Sequence, residues 1–154
     1  MSCTAKAIIH SPGEGQKNDG LGFTRWFRIT PDDTDGRFAV FEEEVPEGAG
    51  PPLHIHKTED EQFTVLSGRV KFHCNGEEVS AGPGTTVLIP AGARHAFIGV
   101  GPGPSRILVM LTPGRGEGLF REAAAEGLSP QSDMARITEV AARYDVEFVG
   151  PPLH

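Results

Sequence analysis

A chain of 154 residues suits one domain with a real core and is short for two. Its net charge of −7 has no compensating basic run, which excludes a phosphate backbone as partner, and the absence of an apolar stretch near ~18 residues excludes a membrane-spanning helix. Two cysteines, Cys3 and Cys74, exclude a disulfide framework; with no charged segment and apolar run at the start, the expected location is the cytoplasm, with reduced thiols.

Twenty glycines and 13 prolines, spread through the chain, demand many turns and hence many short strands. Ala7-Ile8-Ile9 reads as an edge strand before a glycine-rich loop over 13–20. Residues 22–30 (GFTRWFRIT) are aromatic and β-branched, and Pro31 to Gly36 is turn chemistry. Arg37 to Val45 forms the next strand, after which Pro46-Glu-Gly-Ala-Gly-Pro-Pro52 forbids regular pairing. Strands over 62–66, 69–74 and 77–80 are split by Ser-Gly and Asn-Gly steps, and strands over 85–89, 95–98 and 106–111 keep the rhythm. Such spacing favours an all-β barrel or sandwich. After Pro113 the pattern changes to two short helices, over 117–126 and 132–144; Ser132 or Asp133 caps the second, and Met134, Ile137, Val140 and Ala141 share one face. The expected organisation is a single domain over 1–154, with a barrel core over about 22–112 and a helical extension over about 115–145 packed on its outside.

The chemistry concentrates in two stretches. His54 and His56 are two apart, so on a strand both imidazoles leave the same face. If the parity of Glu61, Phe63 and Val65 faces them, a carboxylate joins the histidines and two apolar side chains line the space beyond. His95, after the turn Pro90-Ala91-Gly92, supplies a fourth donor, with Phe97 on the same face. Three imidazoles, one carboxylate and no thiolate suit a divalent transition metal: Fe, Mn, Ni, Cu, Co or Zn. An open coordination position would make the site catalytic.

These residues carry a resemblance. Gly48, five residues, His54-x-His56, four residues, Glu61, six residues and Gly68 is similar to the first motif of the cupin superfamily; Gly84, five residues, Pro90-x-Gly92, two residues and His95 is similar to the second. The resemblance selects Glu61 over Glu59, which stands on a turn, and implies a double-stranded β-helix, a jelly roll holding the metal inside. The run from Pro52 to Gly68 looks most like small quercetin-dioxygenase-like cupins. One departure is Gly99, where the second motif closes with Asn, which puts local turn geometry in question. Small cupins pair through N-terminal strands, so the resemblance also implies a homodimer.

Around the ligands, alternation sets Glu43 with Ala39, Phe41 and Val45 on an inner face, where a carboxylate near an apolar cavity is a candidate general base. Glu61 is a second catalytic candidate, as a ligand that also takes a substrate proton. Phe41, Phe63, Val65, Phe97 and the strand over 106–111 are the expected pocket. Phe23, Trp26 and Phe27 are candidates for pocket or dimer interface, whereas His10, His73 and His154 lack a constellation, and Cys74 reads as an inert thiol on the apolar parity. The expected function is that of a metal-dependent, dioxygenase-like enzyme acting on a small organic molecule. Two alternatives are a redox-neutral isomerase or lyase and a non-enzymatic small-ligand binder.

Overall fold

A computed structural model describes residues 5–154; Cys3 lies outside them. Eleven strands and two helices follow in the order β1 (Gln16–Asn18), β2 (Thr24–Ile29), β3 (Ala39–Val45), β4 (Pro52–His56), β5 (Asp60–Ser67), β6 (Val70–Cys74), β7 (Glu77–Ala81), β8 (Thr86–Ile89), β9 (His95–Gly99), β10 (Ser105–Thr112), α1 (Glu117–Glu126), α2 (Met134–Arg143) and β11 (Val146–Pro152). One sheet runs β1-β2-β3-β10-β5-β8 and the other β11-β4-β9-β6-β7, all pairs antiparallel. This is the double-stranded β-helix with two C-terminal helices that the strand rhythm and the motifs imply.

Period-two alternation decides which side chains fill the barrel. On the first sheet three inward rows cross the strands in register. Arg25, Glu43, Ile107 and Val65 form one, Phe27, Phe41, Val109 and Phe63 the next, and Ala39, Leu111 and Glu61 the third. From the opposite sheet Phe72 and Phe97 meet Phe63, with ring centroids 5.1 Å and 5.4 Å away, and this aromatic trio packs the centre of the core. Trp26, of opposite parity to Phe27, lies on the outer face, where the Arg106 guanidinium sits 4.6 Å over its ring.

Three local readings change. Ala7-Ile8-Ile9 is exposed coil that pairs with no strand; the edge strand is β1, seated on β2. Asp133 stands at the start of α2, but its carboxylate accepts from the Ser129 N–H at 2.8 Å instead of capping forward. A strand, β11, follows the second helix and pairs with β4, Val146 opposite His56 and Phe148 opposite His54.

The helices also contribute to the cavity wall. Leu119 and Phe120 of α1, and Met134 and Ile137 of α2, line the cavity inside the barrel, together with Val146 and Phe148 of β11. Ile137, Val140 and Ala141 fall on one helix face and are buried, so the period that predicts α2 also says which side turns inward.

Before β4 the chain presses against β9. Gly48 N–H donates to Gly99 O at 2.9 Å, and Gly99 N–H returns to Ala49 O at 3.0 Å. A Cβ on Gly99 would stand 2.6 Å from Pro46 O, which explains glycine at the motif's Asn position. A Cβ on Gly50 would stand 1.8 Å from Phe97 O. Gly50→Ala must therefore push the Pro46–Pro52 segment off the strand that carries His95, and is expected to cost about 2 kcal/mol or more, read as a lowered urea midpoint at unchanged slope. An unchanged midpoint would show that the two segments separate without penalty.

Candidate metal centre

The antiparallel β4–β9 pair sets His54 opposite His95, two strand positions place His56 on the same face as His54, and the β4–β5 turn brings Glu61 up from the opposite sheet. All four side chains are buried, and one donor atom from each lies within 4.8 Å of every other. That spread is close to the ~4 Å between opposite ligands of an ion with bonds of ~2.1 Å.

Each imidazole is held by its other nitrogen. His54 Nδ1–H donates to Pro52 O at 2.8 Å and His95 Nδ1–H to Ala93 O at 3.0 Å, while His56 Nδ1 lies 3.5 Å from Glu59 Oε1. Because a carbonyl can only accept, the Nε2 lone pairs of His54 and His95 are left for the shared centre. Glu61 Oε2 lies 2.9 Å from His56 Nε2 and 3.1 Å from His95 Nε2. The donor set and its orientation fit a divalent transition metal held by three nitrogens and one oxygen.

The electrostatics agree with a cation there. Burial and the neighbouring His95 and His56 rings hold His54 down to about 3, so it is a neutral ligand at any ordinary pH. Burial opposes charge on His56, but Glu61 and the Glu59 and Glu61 hydrogen bonds outweigh it and push the imidazole up to about 10. Burial likewise opposes charge on Glu61, yet His56 and His95 hold its carboxyl well below the usual carboxylate range. A buried carboxylate that stays ionised beside imidazoles is a place where positive charge is favoured.

Glu59, the rival carboxylate, is fully buried but is not one of the clustered donors. Both its oxygens accept from Gly116 N–H, at 3.0 Å and 3.1 Å, so it ties the turn behind His56 to the start of α1. The spacing from His56 to Glu59 was the available signal, but it cannot separate a ligand from a residue that orients one.

Three members of the cluster, His54, His56 and Glu61, line a cavity of about 620 Å³; His95 is not on its wall. Phe41, Phe63 and Phe97 stand on its wall, as do Phe23 and Glu43, whereas Val65 does not, lying in the packed core on the row of Glu43 but two strands away. Glu43 is paired with a residue not singled out from the sequence: Arg25 Nε lies 2.6 Å from Glu43 Oε2, both side chains being almost wholly buried. Arg25 shares the parity of Phe23 and Phe27, and a lone cation on an apolar parity was the signal that could have found it. Burial, more than Arg25 opposes, raises the Glu43 carboxyl above its ordinary value. His73 lies 3.6 Å from Glu78 Oε1 on another strand pair, and burial with the nearby Glu77 pushes the Cys74 thiol up, away from reactivity.

Comparison with known proteins gives the frame. Residues 41–111 match the family profile of the cupin domain. Quercetin 2,3-dioxygenase of Bacillus subtilis is 31% identical over 88 residues, covering 57% of this chain and 26% of that protein. A probable oxidoreductase, virH, of Hypocrea virens is 32% identical over 100 residues, 60% of this chain and 44% of that one. The chain thus spans less than half the length of either relative. Among solved structures, the cupin domain of Cnp3 from Schizosaccharomyces pombe superimposes with a TM-score of 0.61 at 16% identity, over 76% of this chain and 82% of that one, a likeness of fold. The matched span runs from β3 to β10 and encloses all four clustered donors, so residues 41–111 form a cupin domain.

Proposed function

We propose that this cupin is a metal-dependent, dioxygenase-like enzyme acting on a small, largely apolar organic molecule inside the barrel. The observation that carries this reading is that His54, His56 and Glu61 of the four-donor cluster line the aromatic-walled cavity of about 620 Å³, a volume ordinary for small-molecule sites. The dioxygenase and oxidoreductase relatives support the class of reaction.

When bound, a redox-capable divalent ion supplies Lewis acidity toward a substrate oxygen and electron exchange with dioxygen. His54, His56, Glu61 and His95 hold it. Both short imidazole contacts of Glu61 fall on Oε2, which leaves Oε1 as the oxygen to take a proton from a substrate hydroxyl. Phe41, Phe63 and Phe97 flank a planar molecule and keep water from the reacting centre. Glu43 is the less suited base, since a proton placed on it disrupts its pairing with Arg25.

Purified protein is expected to bind about one transition-metal ion per chain by elemental analysis, and His54→Ala or His95→Ala to lose it. Affinity should rise with pH: His56, which keeps its proton up to about 10, must release it to ligate, so protons compete with the ion more strongly as pH falls. Metal content that stays constant from pH 8 down to about pH 5 would contradict the assignment of the histidines.

Glu59→Gln keeps the shape of the turn but weakens the hold on His56, and is expected to lower metal affinity about 10- to 100-fold in competition with a chelator, at unchanged stoichiometry. Affinity equal to that of the parent protein would restrict Glu59 to its Gly116 tie.

For the reaction itself, iron-, manganese- or nickel-loaded protein should consume dioxygen with members of a flavonol and β-diketone panel, and Glu61→Gln should lose about 100-fold or more in kcat. Anaerobic rearrangement or elimination of the same compounds without oxygen uptake would replace this reading with a redox-neutral lyase or isomerase.

A further inference from the structure

The Arg25–Glu43 pair stands on the cavity wall away from the metal cluster. By register the two polar points are two inward rows and two strands apart, and the aromatic row of Phe41 and Phe63 runs between them. A buried ion pair is weak evidence of a stabilising role, because two apolar residues of the same volume serve a fold as well or better. This pair also leaves bonding capacity unused. Arg25 Nη1 donates to Gly20 O at 2.6 Å, and its guanidinium is stacked 3.8 Å from the centre of the Phe120 ring, which locks the plane. Nε lies against Glu43 Oε2 and is sealed from the cavity, whereas Nη2, which is not sealed, makes no hydrogen bond to any of the described residues. The side chain is 3% exposed.

We infer that Arg25 and Glu43 form a second polar subsite of the cavity, which recognises a hydroxyl group at the far end of a rigid aromatic ligand whose near oxygen lies at the metal cluster. The inference rests on the proposed function only for that near oxygen. A hydroxyl is the matching chemistry because it accepts from Arg25 and donates to Glu43 at once. A carboxylate does not match: it gains one cation but faces the charge of Glu43, and Glu61 adds a second negative charge to the same cavity. The apolar wall between the two points selects a flat body and excludes a flexible polar one, such as a sugar.

The test compares two rigid probes by calorimetry on metal-loaded protein: 4,4′-dihydroxybiphenyl and 4-hydroxybiphenyl. The diol is expected to bind about tenfold or more tighter than the mono-ol, the worth of a hydrogen bond to charged partners. The double variant Arg25→Met with Glu43→Leu removes both charges together, which avoids stranding one, and should bring the diol to within about threefold of the mono-ol while metal content and cooperative unfolding persist. Glu43→Gln, which keeps the shape, should lower the preference in the same direction. The inference is overturned if the parent protein shows no preference for the diol or if the double variant keeps the preference. Chelator-treated protein separates this from the proposed function: affinity for both probes should fall together, and unchanged affinity would sink the metal anchor while leaving the comparison with the double variant to judge the subsite.

Discussion

A buried imidazole can offer one nitrogen to a metal only if the other has somewhere to donate, and this constraint organises the site. His54 and His95 meet it with the same device, a bond from Nδ1–H to the carbonyl two residues earlier, Pro52 in one case and Ala93 in the other. The prolines and glycines around them are thus more than turn formers: they bend the chain until a backbone carbonyl looks back at the ring. His56 has a carboxylate, Glu59, in the equivalent place. Without these acceptors either ring nitrogen could carry the proton, and the convergence of Nε2 atoms on one point would be lost.

Glu59 extends the constraint to the C-terminal part of the chain. Its bonds to Gly116 N–H bind the site to the start of α1, and α1 in turn places Phe120 against Phe41 and over Arg25. β11 then pairs with β4 and sets Phe148 6.3 Å from the His54 ring. The helices and the last strand therefore close the cavity and touch the elements that hold the ligands. The arrangement of the clustered donors and the shape of the cavity depend on the same few contacts.

The barrel and the four clustered donors were legible in the sequence for different reasons. Hairpin turns at short spacing leave little choice but an antiparallel barrel, alternation puts His54 and His56 on one face, and the resemblance to the cupin motifs selects Glu61 over Glu59 and adds His95. What was not legible depends on how separate strands slide past one another. Val65 and Phe63 share a parity, but only the assembled sheets show that Phe63 reaches the cavity wall while Val65, two strands from Glu43 on the same row, stays in the core. Arg25 and Glu43 lie on separate strands whose pairing places them side by side. The helical faces were readable from their period, yet the surface they cover was not, since amphipathic spacing says that a face is buried and not against what. β11 escaped notice because Val146-Glu-Phe-Val-Gly-Pro-Pro152 is short and proline-ended, and its place in the sheet is set by β4.

The two polar features of the cavity differ in kind, and the difference bears on function. The ligand cluster holds its carboxylate ionised between imidazoles, so it has a negative bias that a cation relieves. The Arg25–Glu43 pair is neutral as a unit, and its unused donor attracts a group that both gives and takes a hydrogen bond. Between them lies a wall of phenylalanines in which neither water nor a loose polar chain competes well. Low polarity strengthens each electrostatic contact made inside it and makes each unmet one costly. A molecule that satisfies one end and leaves the other bare is therefore discriminated against by more than the bond it fails to make, because it also strands buried donors. In this cavity the polar groups specify the ends of a ligand, and the aromatic rows specify what must lie between them.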